Sequence, residues 1–318
     1  MPTSTRITES IPAPVSKEEQ VPAPISDIQH NMRMESGYAA FNGVFFGITF
    51  VGVHPLARTG VGVTPFELTI LMSAFPVGAS LGPFWAWLAG PRGMQKMVVR
   101  CGILSGLLLL PIEAITNSLL FTLLVATAQM LISPIRLGQS TLYGILYPLD
   151  QRGRIIGRFV SMSFLTMIPS LLLAGYLIKL NPQNYRIIFP AAGICAILAC
   201  IFYSQIRVPS PQERLARPRM SIRGGLRKVR EVFTDNKGFR YFQIAFFLSG
   251  SAFFMSHHIA LMLIEDRFAL EPDQLTLIFV VVPLLLLTVG SPLWGRILDR
   301  FGIGHCRLII AILLTLYL

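Results

Sequence analysis

Six polar residues, Gln129, Ser133, Arg136, Ser140, Tyr143 and Tyr147, follow one another at steps of 4, 3, 4, 3 and 4 within an otherwise apolar run. That spacing stacks them on one face of an α-helix. Arg136 is the sharpest of them chemically, being the only basic residue well inside such a run. Burying an arginine in hydrocarbon costs about 2.5 to 3.5 kcal/mol on insertion scales unless it meets an anion, a carbonyl or water. By their place in the chain, Glu35 and Glu113 fall toward the ends of apolar runs. The counter-charge of Arg136 is therefore expected from elsewhere in the protein or from a bound solute, the competing reading being an arginine that snorkels or bonds a carbonyl.

Tyr38, Asn42, Phe45 and Thr49 make a shorter stripe in an earlier run, and Gln243, Phe247, Gly250, Phe254 and His257 make one in a later run. Around a solute held by Arg136, the side chains of Asn42, Gln129, Gln139, Gln243 and His257 are expected to shape a binding site. His257 changes charge near neutral pH, which would couple transport to protons; interhelical hydrogen bonding is the plainer role for it and for the amides. Adjacent His257 and His258 diverge by about 100° on a helix, and no Cys or carboxylate joins them, so no metal site and no cofactor is expected.

Such residues must be positioned by membrane helices. Apolar residues make up 53% of the 318-residue chain, with 22 Phe, which excludes an ordinary soluble domain. A hydrocarbon core of about 30 Å needs roughly 20 apolar residues per helix. Eight windows of that length fall at about 35–55, 66–88, 97–115, 118–147, 155–180, 186–204, 240–264 and 274–295. The formal charge of +11 sits in short loops between these windows, where it fixes topology, so nucleic acid is not expected as a partner. With the N-terminus inside, Lys and Arg divide 22 to 4 between the cytoplasmic and outer sides, Arg136 aside. The four cysteines, Cys101, Cys195, Cys200 and Cys306, have no pairing pattern.

Residues 1–33, with the repeated Pro-Ala-Pro pieces at Pro12 and Pro22, are expected to be a disordered cytoplasmic tail. Residues 34–204 form a six-helix bundle, 205–239 a basic cytoplasmic linker and 240–318 a partial second bundle. Within the linker, Leu226–Phe233 has the pattern of a basic amphipathic helix suited to an anionic membrane surface. After Arg307 the eleven residues Leu308–Leu318 reach about 16 Å as a helix, half a membrane. A ninth span thus begins and does not finish, and the chain is expected to be a truncated product.

The turn Ser291-Pro-Leu-Trp-Gly295-Arg-Ile-Leu-Asp299-Arg300-Phe-Gly302 has an upstream shadow at Gly82–Gly93. Pro83/Pro292, Trp85/Trp294 and Gly93/Gly302 coincide at a single offset of 209. The downstream copy resembles the Gly-x-x-x-Asp-Arg-x-Gly signature of the major facilitator superfamily (MFS) of secondary transporters. In the upstream copy Gly90 and Pro91 replace the Asp and Arg. The resemblance implies an all-α polytopic membrane protein with the first six-helix bundle complete and the second incomplete. It also implies alternating access between two such repeats, and a cavity lined by the first, fourth and seventh spans. Asp299, which can accept hydrogen bonds from exposed amides at a neighbouring helix N-terminus, is then expected to dock on the cytoplasmic start of the fifth span, Pro148-Leu-Asp-Gln-Arg152-Gly153-Arg154, and with Arg152 or Arg154 to latch the inner gate. The expected function is transmembrane transport, not catalysis, of a small solute that is anionic if it meets Arg136, in the inner membrane. A truncated non-transporting protein and an efflux antiporter of amphipathic compounds are the alternatives. Against the latter, Ile168-Pro169-Ser170 lacks the Gly-Pro pair of the antiporter signature.

Overall fold

The computed structural model describes residues 25–90, 93–208, 222–245, 247–248 and 281–317. The first helical run begins with α1 (Ile25–Phe46), widens into a π turn at Gly47–Val51 and continues as α2 (Val53–Gly60). It starts inside the segment expected to be tail. Asp27, His30 and Asn31 all bond the exit of a later helix, holding residues 25–33 in register. A second run pairs α3 (Pro65–Ser80) with α4 (Gly82–Ala89), bent by 57° at the break. Trp85 spans this bend, its indole N–H donating to the Gly78 carbonyl at 2.9 Å.

The next helices are α5 (Met94–Leu109), α6 (Ser118–Met130), α7 (Ile132–Leu146), α8 (Arg152–Leu180) and α9 (Tyr185–Ser204). Two more follow: α10 (Ile222–Asp235) and α11 (Val282–Tyr317), the latter kinked at Gly302, whose φ of 75° only glycine adopts readily. Among the described residues four stretches are long and apolar enough to cross a membrane: Met94–Ala114, Ser118–Leu146, Arg152–Leu180 and Pro182–Ser204. The bent pair α3–α4 passes the same test when its two helices are counted together as one span. The window expected at 240–264 lies mostly outside the described residues, as does the start of that at 274–295.

Local chemistry sets the helix ends. Thr64 and Glu67 form a capping box at the start of α3, and Ser118, opening α6, donates to the same Glu67 carboxylate at 2.8 Å. Asn117 caps α6 through the Leu120 N–H at 3.0 Å. The expected fourth span is broken at Leu131: Pro134 in the first turn of α7 has no N–H to give, and Gly78 of α3 lies against the Met130 carbonyl. At the end rich in Arg152, Arg154, Arg296 and Arg300, hereafter the basic end, Gln95 bonds the last carbonyls of α9, Ile206 at 2.8 Å among them.

One apolar core gathers Phe45, Leu109, Ile112, Phe121, Val125 and Phe189, and its Phe121 and Phe189 rings meet edge to face 4.9 Å apart. A second, toward the basic end, joins Tyr38, Val98, Leu142, Tyr147, Phe159 and Tyr203. Helix α8 packs against α1 on one side and α11 on the other.

Candidate substrate cavity and helix junction

Three contacts in sequence join α8 to α11. Ser161 donates to the Thr288 carbonyl; one turn on, Gly157 faces Ser291 and Pro292; one more turn on, Gly153 faces Gly295. A Cβ on Gly153 would stand 2.5 Å from Asp299 Oδ1 and 2.6 Å from the Gly295 carbonyl, so both glycines are needed for the backbones to approach this closely. At that point the Asp299 carboxylate accepts two main-chain hydrogen bonds at the start of α8, from Gly153 N–H at 2.7 Å and from Arg154 N–H at 2.8 Å. Those N–H groups have no partner within their own helix, and the helix dipole there favours an anion. A mouth of about 300 Å³ opens beside them, lined by Asp150, Gln151, Arg154, Arg296, Asp299 and Arg300.

The guanidinium pairing expected at this junction does not form. Arg152 turns back onto α7, donating to the carbonyls of Gly144 at 3.0 Å and Tyr147 at 3.1 Å, where it caps that helix. Arg154 reaches Gln151. Main-chain groups outcompete side chains here because the helix start presents two fixed donors at no cost in side-chain entropy.

A cavity of about 100 Å³ lies deeper, lined by Asn42, Gly43 and Phe46 of α1, Arg136 of α7, and Val160, Ser163, Phe164 and Met167 of α8. The Arg136 guanidinium sits over the Phe46 ring, 5.2 Å from its centre. Among the described residues no carboxylate lies within 4 Å of it. Leu284 of α11 packs with Met167 and Phe164, closing one side.

Toward the basic end from this cavity, α1 and α7 meet through polar side chains. Glu35, 1% exposed, accepts from the Tyr143 hydroxyl at 2.6 Å and from Gln139 Nε2 at 3.4 Å, both on Oε1. Its Oε2 is buried with no hydrogen-bond partner among the described residues. Tyr38, one turn along α1, donates to Asn42 Oδ1 at 3.2 Å, and Asn42 faces the cavity.

The sequence model of the Major Facilitator Superfamily matches residues 37–318. The chain belongs to that superfamily. It is accordingly an all-α integral membrane protein and a membrane transporter that handles a small-molecule solute. No curated protein matches it.

Within this superfamily member the single stripe expected along span 4 divides into three. Gln129 is buried and donates to the Thr49 carbonyl within the π turn. Ser133 donates to Phe75 of α3 at 3.1 Å. Of the stripe only Arg136 reaches the cavity, while Tyr143, joined by Gln139 from beside the stripe, bonds Glu35. Gln129 is set apart by the break at Leu131; Arg136 and Tyr143 share α7 and differ in their place along it. Gln129 and Gln139 are thus placed off the cavity, Asn42 and Arg136 on it. Gln243 is half-buried in the helical stretch 237–245 and lines no described cavity; His257 lies outside the described residues.

Two features escaped the sequence reading. One is Glu35, placed near a span end by its position in the apolar run. The other is the α8 wall, signalled by Ser161, Ser163, Thr166 and Ser170 within an apolar helix. Of these, Ser163 and Thr166 bond carbonyls of α1, at Ala39 and Ala40, at 3.0 and 2.7 Å.

Proposed function

We propose that the chain is a secondary transporter moving a small anionic solute by alternating access. A bundle of residues 34–204 rocks against a second bundle to which residues 240–318 belong, joined by the basic linker 205–239, with the N-terminus and the basic end on the cytoplasmic face of the inner membrane. The observation that carries this reading is Arg136: a full positive charge at the edge of an interior cavity, held over an aromatic face, with no carboxylate close enough among the described residues to neutralise it. An anion in the cavity would pair with that charge through charge-assisted hydrogen bonds. Asn42 and Ser163 offer polar atoms on the cavity wall, Gln139 steadies the adjoining face of α7, and Gln129 holds the π turn. Gln243 and His257 would act from the second bundle. In the same reading the Asp299 contact with Gly153 and Arg154 is the inner gate in its closed form, and Arg300 with Arg296 lines its mouth.

The test is uptake into membrane vesicles from a panel of small carboxylates, phosphate and sulfate, with neutral and cationic solutes alongside. Arg136→Gln should cut uptake of the anion taken up by the parent at least about tenfold, or 1.4 kcal/mol, while membrane insertion is unchanged. Equal uptake by the variant, or selection of a cation from the panel, sinks the proposal.

A further inference from the structure

The cavity at Arg136 carries a hydrogen-bonding pattern more specific than its charge. The Arg136 guanidinium rests on the Phe46 ring and bonds no acceptor among the described residues, so its N–H groups are available to a solute. Asn42, 9% exposed, has its amide oriented by Tyr38, whose hydroxyl donates to Oδ1 at 3.2 Å. Its Nδ2 meets no acceptor among the described residues and is left for the cavity as a second donor. Ser163 is the opposite case. Its hydroxyl proton is spent on the Ala39 carbonyl of α1 at 3.0 Å, so Oγ offers the cavity lone pairs and not a proton. One turn on, Thr166 bonds the Ala40 carbonyl at 2.7 Å, and a Cβ on Gly43 would collide with the Ser163 carbonyl. Helices α1 and α8 are pinned together at this level, which fixes Ser163 Oγ relative to Asn42.

These groups ask different things of a solute. One cation and one amide donor suit a single carboxylate, which takes N–H bonds on both its oxygens. The acceptor on Ser163 calls for an O–H or N–H elsewhere on the solute. Among the described residues the cavity wall holds no Asp or Glu, so an ammonium group would sit unpaired in a space shared with Arg136. A fully ionised tetrahedral oxyanion such as sulfate would bring a protonless oxygen against the Ser163 lone pairs and a second negative charge into a cavity with one cation. Phe46, Val160, Phe164 and Met167 complete the wall, with Leu284 of α11 packed behind, and favour carbon over water. The volume of about 100 Å³ is well below the roughly 300 to 1,000 Å³ of pockets for drug-sized ligands, which keeps the skeleton short.

We infer that the solute is a short hydroxy monocarboxylate. Its carboxylate pairs with Arg136 and Asn42 Nδ2, its hydroxyl donates to Ser163 Oγ, and its carbon skeleton lies against the apolar wall. Arg136 is the anion anchor, and Asn42 and Ser163 determine specificity. The inference rests on the anion reading above and narrows it.

The experiment compares solutes that differ by one group. Uptake of labelled lactate, propionate, glycolate, acetate, alanine and sulfate at equal concentration is measured in vesicles bearing the full chain. Wild type should take up at least one hydroxy acid about tenfold faster than its partner lacking the hydroxyl, the worth of one hydrogen bond, and leave alanine and sulfate at the level of empty vesicles. In Ser163→Ala that advantage should fall to within about twofold through slower uptake of the hydroxy acid, and Ser163→Thr, which keeps the hydroxyl, should restore it. Equal uptake within both pairs by wild type, no uptake of either hydroxy acid, or preference for alanine or sulfate overturns the hydroxy-acid assignment, and none of these results depends on a variant. An advantage undiminished in Ser163→Ala overturns Ser163 as the acceptor. Anion uptake that is lost in Arg136→Gln but shows no preference for the hydroxyl removes this inference and leaves the anion reading standing. Uptake indifferent to Arg136→Gln sinks both.

Discussion

At the α8–α11 junction the two oxygens of Asp299 each accept one main-chain N–H, at 2.7 and 2.8 Å. At the α1–α7 cluster two side-chain donors share one oxygen of Glu35, and its other oxygen has none. Asp299 is half-buried at a helix start, where the dipole supports its charge; Glu35 is fully enclosed, with tyrosines as its nearest company. The first arrangement needs the ionised carboxylate to hold two helices together. The second leaves one oxygen without a donor and ties the other to side chains alone. Carboxylates of the same chemistry are thus committed to a helix joint in one place and to a side-chain cluster in the other.

The largest effect in this comparison should come from the backbone that makes the joint possible. Gly153→Leu places a side chain where a Cβ alone would already meet Asp299 and the Gly295 carbonyl. It should cost about 3 kcal/mol and separate α8 from α11, seen as lost disulfide cross-linking between cysteines introduced at 161 and 288, which face each other across the junction. Asp299→Asn comes next: an amide has one acceptor where two N–H groups need one each, so a loss of about 1 to 3 kcal/mol is expected in thermal unfolding. Tyr143→Phe removes one donor from an oxygen that has another, and about 1 kcal/mol should be lost. The isosteric change Glu35→Gln should leave stability within about 0.5 kcal/mol of wild type, or raise it. If Glu35→Gln and Asp299→Asn proved equally destabilising, the distinction between the two carboxylates would be wrong.

Much of the helical layout was legible because apolar runs of span length are a coarse signal that local detail does not erase. Five of the eight windows coincide with stretches that are long and apolar enough to cross a membrane. The Gly-x-x-x-Asp-Arg-x-Gly turn pointed to the superfamily whose model matches residues 37–318. Finer placement failed where it depended on continuity. Hydropathy marks where a run turns apolar, not where the helix begins. Because α1 starts at Ile25, Glu35 lies ten residues, about 15 Å, along it, inside a packed helix and not at its end. The π turn at Gly47–Val51 and the break at Leu131 likewise interrupt helical continuity; Pro134 marks the second in the sequence, and composition leaves no mark of the first. The junction was legible in part. Exposed amides at a neighbouring helix start were expected as donors to Asp299 and are the groups that hold it, whereas the side chains of Arg152 and Arg154 turn elsewhere.

That last feature bears on how the joint tolerates mutation over evolutionary time. Because Asp299 recognises N–H groups carried by every amino acid except proline, the identity of the residue at 154 is free to drift without loosening the contact. Selection on this surface is thereby concentrated on Gly153, Gly295 and Asp299, and homologues could vary widely around those three while keeping the same mechanical joint.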